Sequence, residues 1–177
     1  VSTSGGGGGT VTVYSENFDG NGGSGSTWNT TNSNVGAQGN NANLFYISDQ
    51  ESGEAAGACG TAGTGDNSLH VGSTTAGDLG AAYDAGGLCG FFGLCTNTNK
   101  RSFSNNINTT GLTNLTISFN YIENGEGNQD NAIAEYSTNG GTTWTTLTDL
   151  AKTPLCGSGQ GQWTNYSGTL PVDCENI

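Results

Sequence analysis

"LTISFNYIE", residues 115–123, decides the fold class. Leu115, Ile117, Phe119 and Tyr121 alternate with Thr116, Ser118 and Asn120, the pattern of an extended strand with one apolar and one polar face. Downstream, "AEYSTNGGTTWTTL" (residues 134–147) reads as strand, turn and strand. Asn139, Gly140 and Gly141 accept positive φ cheaply, as a hairpin requires, and Trp144 is expected to pack beneath it. The same signals recur outward in both directions. "TVTVYSENF" (10–18), "NLFYIS" (43–48), "SLHVG" (68–72) and "QWTNYSGTLP" (162–171) are strand-like runs between Gly- and Asn-rich loops. No segment holds an apolar period near that of a helix, and the glycine content would weaken any helix. Short strands with turn chemistry between them point to an all-β, antiparallel β-sandwich.

The 177 residues fit one domain with length enough for a real core. Residues 1–10, "VSTSGGGGGT", read as a flexible Gly-rich linker at the start of a mature or excised piece, without the basic and apolar regions of a signal peptide. Residues 11–177 form the module. Three cations face fifteen carboxylates, for a formal net charge of −12. That balance excludes nucleic acid, whose phosphates would be repelled, and disfavours an anionic membrane surface. No apolar run is long enough for membrane insertion.

The five cysteines contain no C-x-x-C pair, and one histidine leaves little for zinc. Disulfides in an oxidising compartment are the expectation, with Cys89–Cys95 around "GFFGL" and Cys156–Cys174 as the pairs. Cys59 is then left over, either free or joined to something outside the chain.

Catalytic patterns are sparse. A Ser-His-Asp triad would need His70, which sits in a strand pattern, and the chain has no G-x-S-x-G elbow. Glu51 with Glu54, or Glu123 with Glu126, could serve as a glycosidase acid and base, yet all four lie in loop-like sequence. Oxygen ligands for Ca2+ are better represented. "ENGEGNQD" (123–130) places side-chain oxygens at alternate positions, and Glu16, Asp19, Asp49 and Asp66 are further candidates.

Trp28, Tyr46, Trp144, Trp163, Tyr166, Phe91 and Phe92 have rings able to stack on sugars, although Trp144 and Trp163 read as core. Phe91 and Phe92, on a cysteine-bracketed loop, are the candidate ligand contacts. Asn29, Asn108, Asn114 and Asn165 head N-x-S/T sequons, relevant wherever the host attaches glycans.

"YSENFDG", "DNSLHVG", "LTISFNYIENGEGNQDNAIAEYSTNGGTTWTTL" and "GQWTNYSGTLP" together resemble the jelly-roll modules of secreted and surface proteins of Bacteroidota. These are similar to MAM and concanavalin-like sandwiches, carried by type IX secreted adhesins, gliding-motility proteins and exoenzymes. The resemblance implies a jelly roll lacking its last strands, because further strands usually follow the phrase matching "TLPVDCENI". It implies a structural Ca2+ held by Glu16, Asp19, Asp66 and Asp130, and no catalytic residues. The implied role is non-catalytic adhesion or binding of an extracellular glycan or surface protein, after export by the secretion machinery to the cell surface. A structural spacer, or a module of a polysaccharide-degrading enzyme, stands as the alternative.

Overall fold

The computed structural model describes residues 1–4, 10–19, 28–34, 44–61, 63, 65–72, 100–125, 131–157 and 160–177. Ten strands follow in chain order: β1 (Ser2–Ser4), β2 (Thr10–Thr12), β3 (Trp28–Asn34), β4 (Leu44–Ser48), β5 (Ser68–Gly72), β6 (Lys100–Ser104), β7 (Thr116–Tyr121), β8 (Ile133–Tyr136), β9 (Thr145–Asp149) and β10 (Thr164–Thr169). Among the described residues the sole helical element is a 3-10 turn, Val172–Cys174. Every strand pairing is antiparallel. One sheet has the order β10-β7-β1-β2, and three two-stranded sheets pair β3 with β6, β4 with β5, and β8 with β9. The all-β, antiparallel reading of the sequence therefore holds, in small sheets.

β7 keeps the alternation read from its sequence. Ile117, Phe119 and Tyr121 are half-buried, while Thr116, Ser118 and Asn120 are exposed. β10 pairs with it along its whole length, Tyr166 opposite Phe119, and repeats the alternation. Leu115, just before β7, is fully buried, and its carbonyl accepts the Leu170 N–H at 2.9 Å. Trp163, just before β10, is 6% exposed and donates its indole N–H to the Ser52 carbonyl. Trp163 is core, as expected.

The tether read into residues 1–10 differs in part. Ser2–Ser4 pair with Thr10–Thr12, and Ser2 also pairs with Thr116 of β7. The Val1 ammonium donates to the Tyr14 carbonyl at 2.8 Å, which anchors the chain start. Ladder bonds need a backbone partner and no apolar side chain, so a Ser/Thr strand forms once Val11 and its threonines supply the second rail. Residues 5–9 lie outside the described set.

The hairpin of β8 and β9 is as read, although Tyr136 pairs with Thr145 and residues 137–144 make the connection. Gly140 and Gly141 take φ of 66° and 82°. A Cβ on Gly141 would lie 3.4 Å from the Trp144 ring, whose indole N–H donates to the Gly141 carbonyl. The Trp144 ring also receives Arg101, its Cζ 4.7 Å from the centroid, while Arg101 forms an ion pair with Glu135 at 2.7 Å. β6 is thereby fastened to the hairpin by a cation–π contact of about 0.5–2 kcal/mol.

The cysteine pairing is a correction. Cys59 bonds to Cys156, and Cys174 is a buried free thiol, so neither the Cys156–Cys174 pair nor an unpaired Cys59 is found. One bridge, Cys59 with Gln162, joins the two loops, and local bridges shape each of them, Ser52 with Thr61 and Leu155 with Gly161. Cys174 instead sits where Thr109 gathers the C-terminal segment. The Thr109 hydroxyl donates to the Cys174 carbonyl, its N–H to the Ile177 carbonyl, and its carbonyl accepts the Asn176 N–H. Cys89 and Cys95 lie outside the described residues.

Burial, with the charges of Asp173 and Glu175, pushes the Cys174 thiol up to about 11. The thiolate is therefore scarce at neutral pH, and the thiol should be inert. Peptide mapping of the non-reduced chain should recover a Cys59–Cys156 crosslinked pair, and Cys174 should take up iodoacetamide in denaturant but not in buffer. Cys59→Ser should destabilise the fold by about 2–5 kcal/mol in a denaturant titration. A Cys156–Cys174 crosslink would refute this arrangement.

Candidate functional site

The loop between β4 and β5 gathers the titratable groups. Glu51 is 6% exposed beneath Gly60, where an added Cβ would collide with its Oε2. The Gln160 amide, oriented with nitrogen inward, donates to both Glu51 oxygens. Burial raises the pKa of Glu51 above its ordinary value. Glu123, 8% exposed, accepts the Gly125 N–H on Oε1, while its backbone meets Thr153. Neither acid is presented to a polymer, so the sequence pairs built on them lose the access that glycoside chemistry requires. Glu126 lies outside the described residues.

His70 is 3% exposed on β5 and stacks on Tyr46, ring centroids 5.9 Å apart. Its Nε2 is 2.8 Å from the Ser68 hydroxyl. This has the look of a nucleophile and base, but the single hydroxyl proton goes to the Glu51 carbonyl at 2.7 Å. The Ser68 oxygen must then accept from His70, which reverses the direction a general base needs. Burial holds the His70 pKa down to about 4, against smaller opposing effects of the Ser48 backbone and the Asp49 charge. The residue is a neutral strand histidine, as its sequence context suggests.

Glu54 is the chemically unusual group. Burial pushes its carboxyl up to about 7, helped by the charges of Asp66 and Asp19 and a hydrogen bond with the Asp66 side chain. Asp66 Oδ2 accepts the Gly53 N–H at 3.2 Å, and the Asp66 carbonyl accepts the Ser52 hydroxyl at 2.7 Å. Asp19 Oδ1 accepts the Asn67 N–H at 2.8 Å, and its Oδ2 accepts from Asn17. Two acids separated by most of the N-terminal third of the chain thus converge on a third. Their charges add to burial in favouring the protonated form of Glu54.

Of the expected Ca2+ ligands, Asp19 and Asp66 meet around Glu54, which the sequence reading had weighed as an acid and not as a ligand. Glu16 is engaged separately, its Oε1 accepting the Phe18 N–H, and Asp130 lies outside the described residues. Among the described residues no three His, Cys, Asp or Glu side chains are arranged to hold a metal ion.

A second surface concerns ligands. Phe119, Tyr121 and Tyr166 form a row on one face of β7 and β10, Phe119 lying 5.1 Å from Tyr166 and 6.1 Å from Tyr121 between ring centroids. Each ring is half-buried. A Cβ on Gly168 would lie 2.6 Å from the Tyr166 hydroxyl, so the glycine lets that ring lie along its own strand. The Tyr121 hydroxyl donates to the Ala151 carbonyl and fixes the far end of the row. Tyr166 is one of the sugar-stacking candidates of the sequence, while Phe119 and Tyr121 belong to the alternating apolar face of β7, and their common row appears once β10 is paired in register. Phe91 and Phe92 lie outside the described residues.

No helix among the described residues is long and apolar enough to cross a membrane. The disulfide is compatible with an extracellular or secreted protein. Compared with protein-family models, curated proteins and solved structures, the chain matches none.

The sign of the pH dependence follows from the two shifted groups. Glu54 has a folded pKa of about 7 against an ordinary 4.5, so its stabilising contribution is complete below the unfolded value and is lost as pH rises through 7. His70 acts oppositely: its contribution is present above the unfolded 6.5 and is lost as pH falls toward 4. Glu54→Gln mimics the protonated acid. Differential scanning fluorimetry should show its Tm above wild type by about 2–4 °C near pH 8 and equal to it near pH 4. Equal differences at both pH values would overturn the assignment.

Proposed function

We propose that the chain is a non-catalytic jelly-roll module of a secreted or cell-surface protein, binding extracellular glycan through the aromatic row of β7 and β10. The observation that carries this reading is the alignment of Phe119, Tyr121 and Tyr166 with partial solvent access on a paired, in-register sheet. Flat aromatic faces bind the C–H faces of pyranose rings by burying apolar area at little entropic cost, because the rings are already ordered. The strong negative charge favours neutral or cationic glycans over sulfated or phosphorylated ones. The resemblance to type IX secreted adhesins supports the same reading.

A second reading rests on Glu54. A half-buried carboxyl near 7 beside two other acids suits a general acid, which keeps a module of a polysaccharide-degrading enzyme in view.

Binding to immobilised polysaccharides should separate the two. Tyr166→Ala should weaken retention about tenfold, or ~1.4 kcal/mol, with Glu54→Gln unchanged. Equal retention by wild type and Tyr166→Ala removes the aromatic row as the site. Release of shorter sugars by wild type, abolished in Glu54→Gln, would establish the enzymatic reading instead. Retention on no polysaccharide at all would leave the structural spacer as the better account.

A further inference from the structure

The pair Asn-Gly occurs at 21–22, 124–125 and 139–140. Asparagine is a chemically labile residue, and most so before glycine, where no Cβ hinders approach of the glycine nitrogen to the asparagine Cγ. Residues 21 and 22 lie outside the described set, and the other two pairs stand in opposite surroundings. Asn139 is held at both ends of its amide. Its Oδ1 accepts the Thr143 N–H at 2.9 Å and the Ser137 hydroxyl at 3.0 Å, and its Nδ2 donates to Thr143 Oγ1 at 2.8 Å. Those bonds stop its Cγ from turning toward the Gly140 nitrogen, and among the described residues no carboxylate accepts the Gly140 N–H. Asn124 is exposed, with its amide against the bare backbone of Gly161. Its Oδ1 meets the Thr153 hydroxyl only at 3.4 Å, a proton shared with the Glu123 carbonyl at 3.1 Å. The Gly125 N–H donates to Glu123 Oε1 at 2.8 Å. Glu123 itself cannot drift: its carbonyl accepts the Thr153 N–H at 2.7 Å, and its N–H donates to Thr153 Oγ1 at 3.3 Å.

We propose that Asn124 and Gly125 form a self-modifying site, at which Glu123 is the general base and the chain converts Asn124 to aspartate or isoaspartate. The Gly125 amide proton passes to the Glu123 carboxylate, and the Gly125 nitrogen bonds to Asn124 Cγ. Charge gathers on Oδ1, toward which the Thr153 hydroxyl can turn its proton. The bond from Cγ to Nδ2 then breaks, Glu123 returns the proton to the departing nitrogen, and ammonia leaves a succinimide ring. Water, the sole co-reactant, opens the ring at either carbonyl. Opening at one yields aspartate, and opening at the other yields isoaspartate, whose backbone runs through the former side chain. A base already on the proton and a nitrogen adjacent to its target need no substrate from outside, so the burial of Glu123 is no obstacle. Either product adds one carboxylate to a chain already at −12. Isoaspartate also lengthens the backbone beside the Glu123–Thr153 clamp and Gly161, which bridges to Leu155 next to Cys156. The site does not depend on whether the aromatic row binds glycan.

The test is timed incubation of the purified full chain near neutral pH, with peptide mass mapping and electron-transfer fragmentation to tell isoaspartate from aspartate. Product is expected at 124 well before 139 in the folded chain. Glu123→Gln keeps an oxygen for the Gly125 N–H but is no base, and it should slow conversion at 124 by about tenfold or more while leaving 139 unchanged. In concentrated urea the two pairs lose their surroundings, and wild type should convert them at equal rates, a comparison that needs no variant to fold. Conversion at 124 no faster than at 139 in the folded chain, or an unchanged rate at 124 in folded Glu123→Gln, overturns the proposal.

Discussion

Fifteen carboxylates share three cations in this chain, and that imbalance governs how its acids can be enclosed. Arg101 is committed to Glu135 and to the Trp144 face, where it joins β6 to the β8–β9 hairpin. The loop acids are answered by other means. Glu51 takes the Gln160 amide, Glu123 takes the Gly125 N–H, and Glu54, beside Asp66 and Asp19, holds its proton up to a pKa of about 7. An enclosed carboxylate without a cation must find donors or become neutral, and this chain uses both routes. Amide and backbone donors cost no charge, which is one physical use for its abundance of Asn and Gly.

What could be read from the sequence was whatever a strand's own period reveals. The alternation at Leu115–Tyr121 needs no knowledge of the partner, because period two is a property of one extended segment. The hairpin glycines were legible for the same local reason. The disulfide was not, since spacing says nothing about which distant loops meet; the bridge of Cys59 with Gln162 sets its loop beside the one that carries Cys156. Glu54 was visible as an acid, but its shifted pKa depends on Asp19 and Asp66 arriving from elsewhere in the chain. β1 was hidden by composition, since Ser, Thr and Gly signal a tether even where their backbone groups pair.

The aromatic row and the clasp at the C-terminal segment have different origins. The aromatic row on β7 and β10 follows from strand register: Tyr166 lies opposite Phe119, and Gly168 makes room for the ring beside it. The turn from Asn108 to Asn114 follows from tying of chain segments, with Thr109 binding the last residues. The first presents rigid, ordered rings, and the second is a clasp of backbone and hydroxyl hydrogen bonds between Thr109 and residues 174–177.

The crosslink between Cys59 and Cys156 also has a mechanical meaning. The two sulfurs join positions 97 apart in sequence. When the ends of the polypeptide are pulled, tension passes through the sulfur bridge and bypasses the intervening segment, which includes β5 to β9. That segment would contribute roughly 330 Å of contour if released. With the bridge intact, the stretch available to a tugging force is shorter by this length, but β5, β6 and β7 share their ladders with β4, β3 and β10 outside the loop, so of the strands it encloses only the β8–β9 hairpin is shielded outright.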